Sequence, residues 1–174
     1  MEVVRNQSGA TLVEAVSSLA IAVTLMSLAV PSMQQLLAQQ RLTNAVNIMV
    51  GHIHYTRLEA VKRVSYVTLC PSINNQDCSN DYLNWHKGVI IFVDDDEDGR
   101  RDNGEQILRV IHPFHSDINI YSTTGRRRIK FRPVGTAYGS NVTITLTSST
   151  YNVHIKQLKL SNHGRLKTLT IESN

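Results

Sequence analysis

Between Ala15 and Gln40 the chain carries no ionisable side chain, and this stretch constrains the fold more than any other feature. Ala10–Val30 reads ATLVEAVSSLAIAVTLMSLAV. Twenty-one helical residues rising about 1.5 Å each span roughly 30 Å, the thickness of one hydrocarbon core. Such a segment is either a membrane anchor or a cleaved secretory signal. The signal reading fits poorly. Residues 1–9 balance Glu2 against Arg5, Leu28–Ser32 offers no small-x-small cleavage site, and Glu14 lies inside the apolar run. An acid at the start of a membrane helix is costly without a cationic partner. Cleavage after Gly9 would create one, because the new α-amino group of Ala10 would lie four residues before Glu14.

Beyond the anchor the pattern becomes amphipathic. Met33, Leu36, Leu37, Ala45, Ile48, Met49, Ile53 and Val61 approximate a 3.6-residue period, with Gln, Asn, Arg and His between them. Pro31 kinks a helix without ending it where neighbours satisfy the freed carbonyl. The spacing predicts one helix over residues 10–64, with an anchor over about 10–30 and an amphipathic half over 32–64 that packs on a globular domain. His52 and His54 are two residues apart, point to different faces and read as surface histidines rather than a metal pair.

From Val64 onward short β-rich runs replace the helical period. Val64–Cys70, Val89–Val93, Ile107–Ile111, Ile118–Tyr121, Ile129–Arg132, Val142–Thr147, Tyr151–Leu160 and Leu166–Ile171 are separated by Asn, Asp, Gly and Ser. One helix followed by consecutive strands indicates an α+β domain over residues 65–174, with antiparallel sheet packed on the helix. The 174-residue length and 41% hydrophobic content suit one ordinary core and exclude both a disordered chain and a polytopic membrane protein.

Gly9, Ala10 and Glu14 resemble the processing site of type IV prepilins and pseudopilins, where a polar leader ends in Gly and a Glu stands at mature position five. Ala10 replaces the Phe common in that family. Three further runs narrow the likeness to FimT/GspH-type minor pilins: Thr56–Arg63 leading into Val67–Cys70, Trp85–Asp94, and Phe131–Ala137. The resemblance implies a type IV pilin-like fold and prepilin peptidase cleavage after Gly9, with residues 1–9 as leader. It implies an inner-membrane precursor with its domain in the periplasm. It also implies assembly with other major and minor pilins through the N-terminal helix, in or at the tip of a pilus, with no cofactor required.

In a domain outside the reducing cytoplasm, Cys70 and Cys78 can staple a strand end to its turn as a short-loop disulfide, the alternative being two unpaired thiols. Asp94, Asp96, Asp98, Gly99 and Glu105 match the calcium-loop spacing D-x-D-x-D-G-x5-E. Predicted strands flank it where a calcium-binding helix pair has helices, and Arg100 and Arg101 lie inside it. Two readings therefore stand, a calcium site and a solvated turn built from Asp and Gly.

Charge is segregated. Residues 94–109 carry seven acids and three bases, whereas residues 110–174 carry nine Lys/Arg against Asp117 and Glu172. Strand alternation sets Arg128, Lys130 and Arg132 on one face, with Arg126 just ahead of them. Family members linked to DNA uptake carry a C-terminal Gly-Arg-x-Arg motif, which Gly164-Arg165-Leu166-Lys167 resembles, with Lys167 in place of the second Arg. The resemblance implies phosphate-led DNA binding without sequence selectivity. A purely structural or priming minor pilin and a type II secretion pseudopilin are the alternatives. No G-x-S-x-G, Walker, dinucleotide or H-E-x-x-H pattern occurs, so an enzyme is not expected.

Overall fold

The computed structural model describes residues 11–150 and 155–171. Helix α1 spans Leu12–Arg63 and runs through Pro31. Thr11 opens it: its hydroxyl accepts the Glu14 N–H at 3.3 Å and its carbonyl accepts the Ala15 N–H at 3.1 Å, which satisfies donors left free at a helix start. The chain divides into two compact units at Leu37/Ala38. In the first, the described large apolar side chains of α1 are bare, from Leu12 at 81% exposure to Leu37 at 43%. By length and composition this helix is long enough to cross a membrane.

In the second unit the rest of α1 buries one stripe. Ala38, Leu42, Ala45, Val46, Met49, Ile53, Thr56 and Ala60 are all buried, at the three- and four-residue spacing of one helix face. This shifts the expected stripe. Met33, Leu36, Leu37 and Val61 are exposed, and Ala38, Leu42, Val46 and Ala60 take the core positions.

Eight strands follow: β1 Val67–Pro71, β2 Val89–Val93, β3 Ile107–Ile111, β4 Ile118–Ser122, β5 Ile129–Phe131, β6 Val142–Ser148, β7 Ile155–Leu160 and β8 Leu166–Ile171. They form two four-stranded antiparallel sheets, in the orders β3-β2-β1-β5 and β4-β6-β7-β8. The first strand starts at Val67 rather than Val64, because Val64 takes a left-handed turn with φ 54°. The expected start of β7 at Tyr151 lies outside the described residues.

The continuous apolar run of β2 has a simple cause. Val89 and Ile91 face the main core with the helix stripe, while Ile90 and Phe92 join Cys70 in a second cluster on the other face, against Cys78 and Ile107. With both faces covered, no alternation is needed. In contrast, β4 and β6 alternate, with Ile118, Ile120, Val142, Ile144 and Leu146 turned inward. Trp85, on the short turn Asn84–Lys87 that packs against β4 and β1, is fully buried and donates its indole N–H to the Ser122 hydroxyl at 3.0 Å, which satisfies its one polar atom.

Candidate functional site

Gly164 and Arg165 lie in the turn between β7 and β8, and Leu166 and Lys167 open β8. The Ser161 N–H donates to the Arg165 carbonyl at 3.0 Å and the Gly164 N–H to the Ser161 carbonyl at 2.9 Å. Gly164 has φ 75°, and a Cβ there would come within 2.7 Å of the Gly135 carbonyl oxygen. Positive φ and close backbone approach together require glycine. Arg57, on α1, donates to the Gly164 carbonyl at 3.2 Å. The turn is thereby held between the helix and the β5–β6 loop.

Arg165 and Lys167 are exposed, and the register pairs Lys167 directly with Lys159, also exposed. Directly opposed residues of an antiparallel pair lie on one face, so Lys159 joins Lys167 there. None of the three cations makes an ion pair among the described residues. Lys159 and Arg57 escaped sequence reasoning. The hairpin is symmetric about His163, so placing the turn there would have revealed Lys159; nothing local to Arg57 points to Gly164.

The other four cations are differently placed. Arg128 donates to the Asp98 carbonyl at 3.2 Å and to Asn80 Oδ1 at 3.5 Å, and the Lys130 ammonium donates to the Glu97 carbonyl. Lys130 also stands over the Tyr66 ring at 5.6 Å, and Arg132 over the Tyr138 ring at 4.8 Å. Arg126 donates to the Gly139 carbonyl at 2.7 Å. Alternation does set the cations of β5 apart from buried Ile129 and Phe131, but Arg128 and Lys130 hold the acidic loop rather than forming a free patch.

That loop is organised by its own hydrogen bonds. Asp94 is wholly buried; one carboxylate oxygen accepts the Thr68 hydroxyl at 2.7 Å and the other the Gly99 N–H at 3.1 Å. Asp94, Asp96 and Asp98 bring one oxygen each within 4.8 Å of one another. Glu105 does not join that group. Its two oxygens accept the Asp95 and Asp102 N–H groups, both at 2.9 Å, which occupies the twelfth-position carboxylate that a calcium loop needs for bidentate ligation. Burial first, and then the charges of Asp94 and Asp96, push the Glu105 carboxyl up, against the pull of the two amides.

Cys70 and Cys78 form a disulfide. It ties β1 to the loop that covers Ile90 and Phe92, on the sheet face away from the helix. Glu14 lies in the first turn of α1. Gly9 and Ala10 lie outside the described residues.

A single N-terminal helix packed through its later turns on antiparallel sheets defines a type IV pilin-like α+β fold. The family of type II transport protein GspH matches residues 45–164, more than half of the chain. The chain belongs to the GspH family, the group of type IV minor pilins and pseudopilins. Among solved structures it is similar to the type IV minor pilin FimU of Pseudomonas aeruginosa in two crystal forms. The P21 form is 19% identical, with a TM-score of 0.59 over 75% of this chain and 90% of that one. The P65 form is 18% identical, with a TM-score of 0.54 over 73% and 91%. It is also similar to the minor pseudopilin EpsH of the Vibrio cholerae type 2 secretion system, at 7% identity, TM-score 0.50, over 74% and 95%. At these identities the likeness is one of fold. No curated protein matches the chain by sequence. The family match stops one residue short of Arg165 and begins well after Glu14, so it covers neither Arg165 and Lys167 nor the processing residues.

Proposed function

We propose that this chain is a minor pilin subunit of a type IV pilus, anchored in the inner membrane as a precursor and cut after Gly9 by prepilin peptidase. Its domain stands in the periplasm until assembly, in or at the tip of the pilus. The observation that carries this reading is the bare stretch of α1 before Ala38. Its exposed leucines, valines and isoleucines would cost about 25 cal/mol per Å² in water, a cost removed by lipid before assembly and by neighbouring pilin helices after it. Glu14 is the single ionisable group of that stretch, and the Ala10 amine of an adjacent subunit is its fitting partner. Gly9→Val is expected to leave a full-length precursor by intact mass, and Glu14→Ala to permit cleavage while reducing recovery in sheared pili. A Gly9→Val chain of mature mass would sink the reading.

The exposed cations of the last hairpin support a second role, binding of DNA during natural transformation, and favour a pilus over the alternative of a secretion pseudopilin. Arg165, Lys167 and Lys159 stand unpaired beside a turn whose Gly164 is fixed by Arg57. Binding through them is phosphate-led, since residues 155–171 hold no Phe, Tyr or Trp to stack on bases. In gel shifts of the full chain in detergent, removing Arg165 and Lys167 together should flatten the log–log salt dependence by roughly two units on every duplex sequence. A wild-type chain that shifts no DNA at low salt would remove this role and leave the assembly role standing. Calcium is no part of the proposal, because Glu105 is already committed to two backbone amides.

A further inference from the structure

A cleft of about 370 Å³ opens between the acidic loop, the segment entering β5 and the β5–β6 loop. Five cations line it, Arg100, Arg126, Arg127, Arg128 and Lys130, against one carboxylate, Asp98. Asp98 is itself engaged, for it accepts the Arg100 N–H and stands 3.9 Å from the Arg100 guanidinium. The cleft lies on different elements from the β7–β8 turn, and none of the hairpin cations Lys159, Arg165 and Lys167 lines it.

Two features make it more than a run of basic residues. Arg128 Nε is buried without a hydrogen-bond acceptor, although the other guanidinium nitrogens of that side chain reach Asp98 and Asn80. A buried donor left unpaired is costly, and an acceptor that enters the cleft can relieve it. The walls also contain Gly125 and Gly139, with φ of 80° and 79°, and a Cβ at either would meet nothing within 4 Å. Their conformation leaves bare backbone beside open space, so a ligand can approach closely.

We infer that this cleft binds a diphosphate group, free or esterified at one end, through Arg126, Arg127 and Arg100, with Arg128 and Lys130 supplying charge from behind. Guanidinium forks match paired phosphoryl oxygens. Five cations against one engaged carboxylate leave an excess of positive charge that a single dianionic oxyanion compensates only in part and that two linked phosphoryl groups match more closely. Like-charge crowding supports this: burial first, and Arg100 second, hold the Arg128 guanidinium below its ordinary range, with Asp98 and Asp94 opposing. A multiply charged anion relieves that crowding. Asn80 ties the cleft to the disulfide loop, since it accepts from Arg128 two residues after Cys78.

The test is calorimetric titration of the full chain in detergent with pyrophosphate at low salt, beside ADP, sulfate and a DNA duplex. Pyrophosphate is expected to bind, with sulfate at least roughly tenfold weaker. Arg126→Gln with Arg127→Gln should weaken pyrophosphate by roughly tenfold or more, while Lys62→Gln with Lys87→Gln, equal in charge removed, should change it less than about twofold. Should the double variant fail to fold, Arg127→Gln alone serves, because Arg127 is exposed and makes no hydrogen bond or ion pair among the described residues. ADP binding within tenfold of pyrophosphate assigns an esterified ligand, and weaker ADP binding assigns the free anion. Absence of pyrophosphate heat in the wild type, sulfate binding as tightly as pyrophosphate, equal losses in both variants, or displacement of pyrophosphate by the duplex would each overturn the assignment.

Discussion

Arg57 on the helix donates a hydrogen bond of 3.2 Å to the carbonyl of Gly164, 107 residues later in the chain. Its guanidinium also lies against Gly135, where a Cβ would come within 3.2 Å of Arg57 Nε and 3.1 Å of Val61 Cγ2. One side chain therefore fixes two glycine turns on one face of the helix, and the conformation of the exposed Arg165 is set from within.

Arg57→Ala should lower stability by about 1–2 kcal/mol, the worth of a charge-assisted hydrogen bond in a half-buried place, or a few degrees in thermal midpoint for a chain of this size. It should also weaken DNA binding by more than removal of Lys62 does. Gly164→Ala should cost more, about 2–3 kcal/mol, since strain at φ 75° adds to the clash with the Gly135 oxygen. Thermal unfolding by circular dichroism checks both, and an unchanged midpoint in Gly164→Ala would refute the turn geometry.

The Cys70–Cys78 disulfide closes a loop over Ile90 and Phe92, with a sequence separation of 8. Loop entropy for so short a ring gives about 2.5 kcal/mol. Replacing both cysteines with Ser should therefore lower the midpoint by several degrees and speed proteolysis in the 72–80 segment. Pyrophosphate affinity should fall as well, because Asn80 follows the ring. Limited proteolysis with mass mapping distinguishes this local opening from global unfolding.

His52 is half-buried and feels the charge of Arg109, whose guanidinium stands 4.0 Å over the Tyr55 ring. Burial first, and Arg109 second, hold its pKa below the ordinary value of 6.5. The folded state thus favours the neutral ring, whereas the unfolded chain takes up a proton near 6.5. The sign follows: stability is fully present above that value and falls as pH drops from it through the lowered folded value. Denaturation curves of His52→Gln should show a shallower loss over that window than the wild type.

Asp94→Ala should be among the most destabilising single changes in the acidic loop, by about 2–4 kcal/mol, because it strands the Thr68 hydroxyl and the Gly99 N–H in a buried place. Millimolar calcium should leave the wild-type midpoint within about a degree. A calcium-dependent rise that vanishes in Glu105→Gln would instead show that the carboxylate exchanges its amides for the ion.

Much of the fold was legible because the main signals are local. Val89–Val93, Ile107–Ile111 and Leu166–Ile171 stand where β-rich runs and turn residues placed them. The division of the strands into two sheets was not legible, since it depends on β5 pairing with β1 across some sixty residues. The helix stripe was legible at Ala45, Met49 and Ile53 but not at its ends, where small Ala38 and Ala60 are buried while larger Met33 and Leu36 remain bare. The site was legible in its residue types and not in its contacts. Alternation grouped Arg128 with Lys130, but only the tertiary fold sets them against carbonyls of residues 97 and 98.

Between β4 and β6, which are hydrogen-bonded neighbours, the chain leaves their sheet to lay β5 beside β1 in the other, then returns. Neither sheet can be finished from contiguous chain. The long excursion must be closed before the β4–β6 pairing gains anything, and such distant pairings make folding slow. The two sheets are in this sense stitched by one thread. They should gain and lose protection from hydrogen exchange together, and a nascent domain has no stable half-built stage at which to pause.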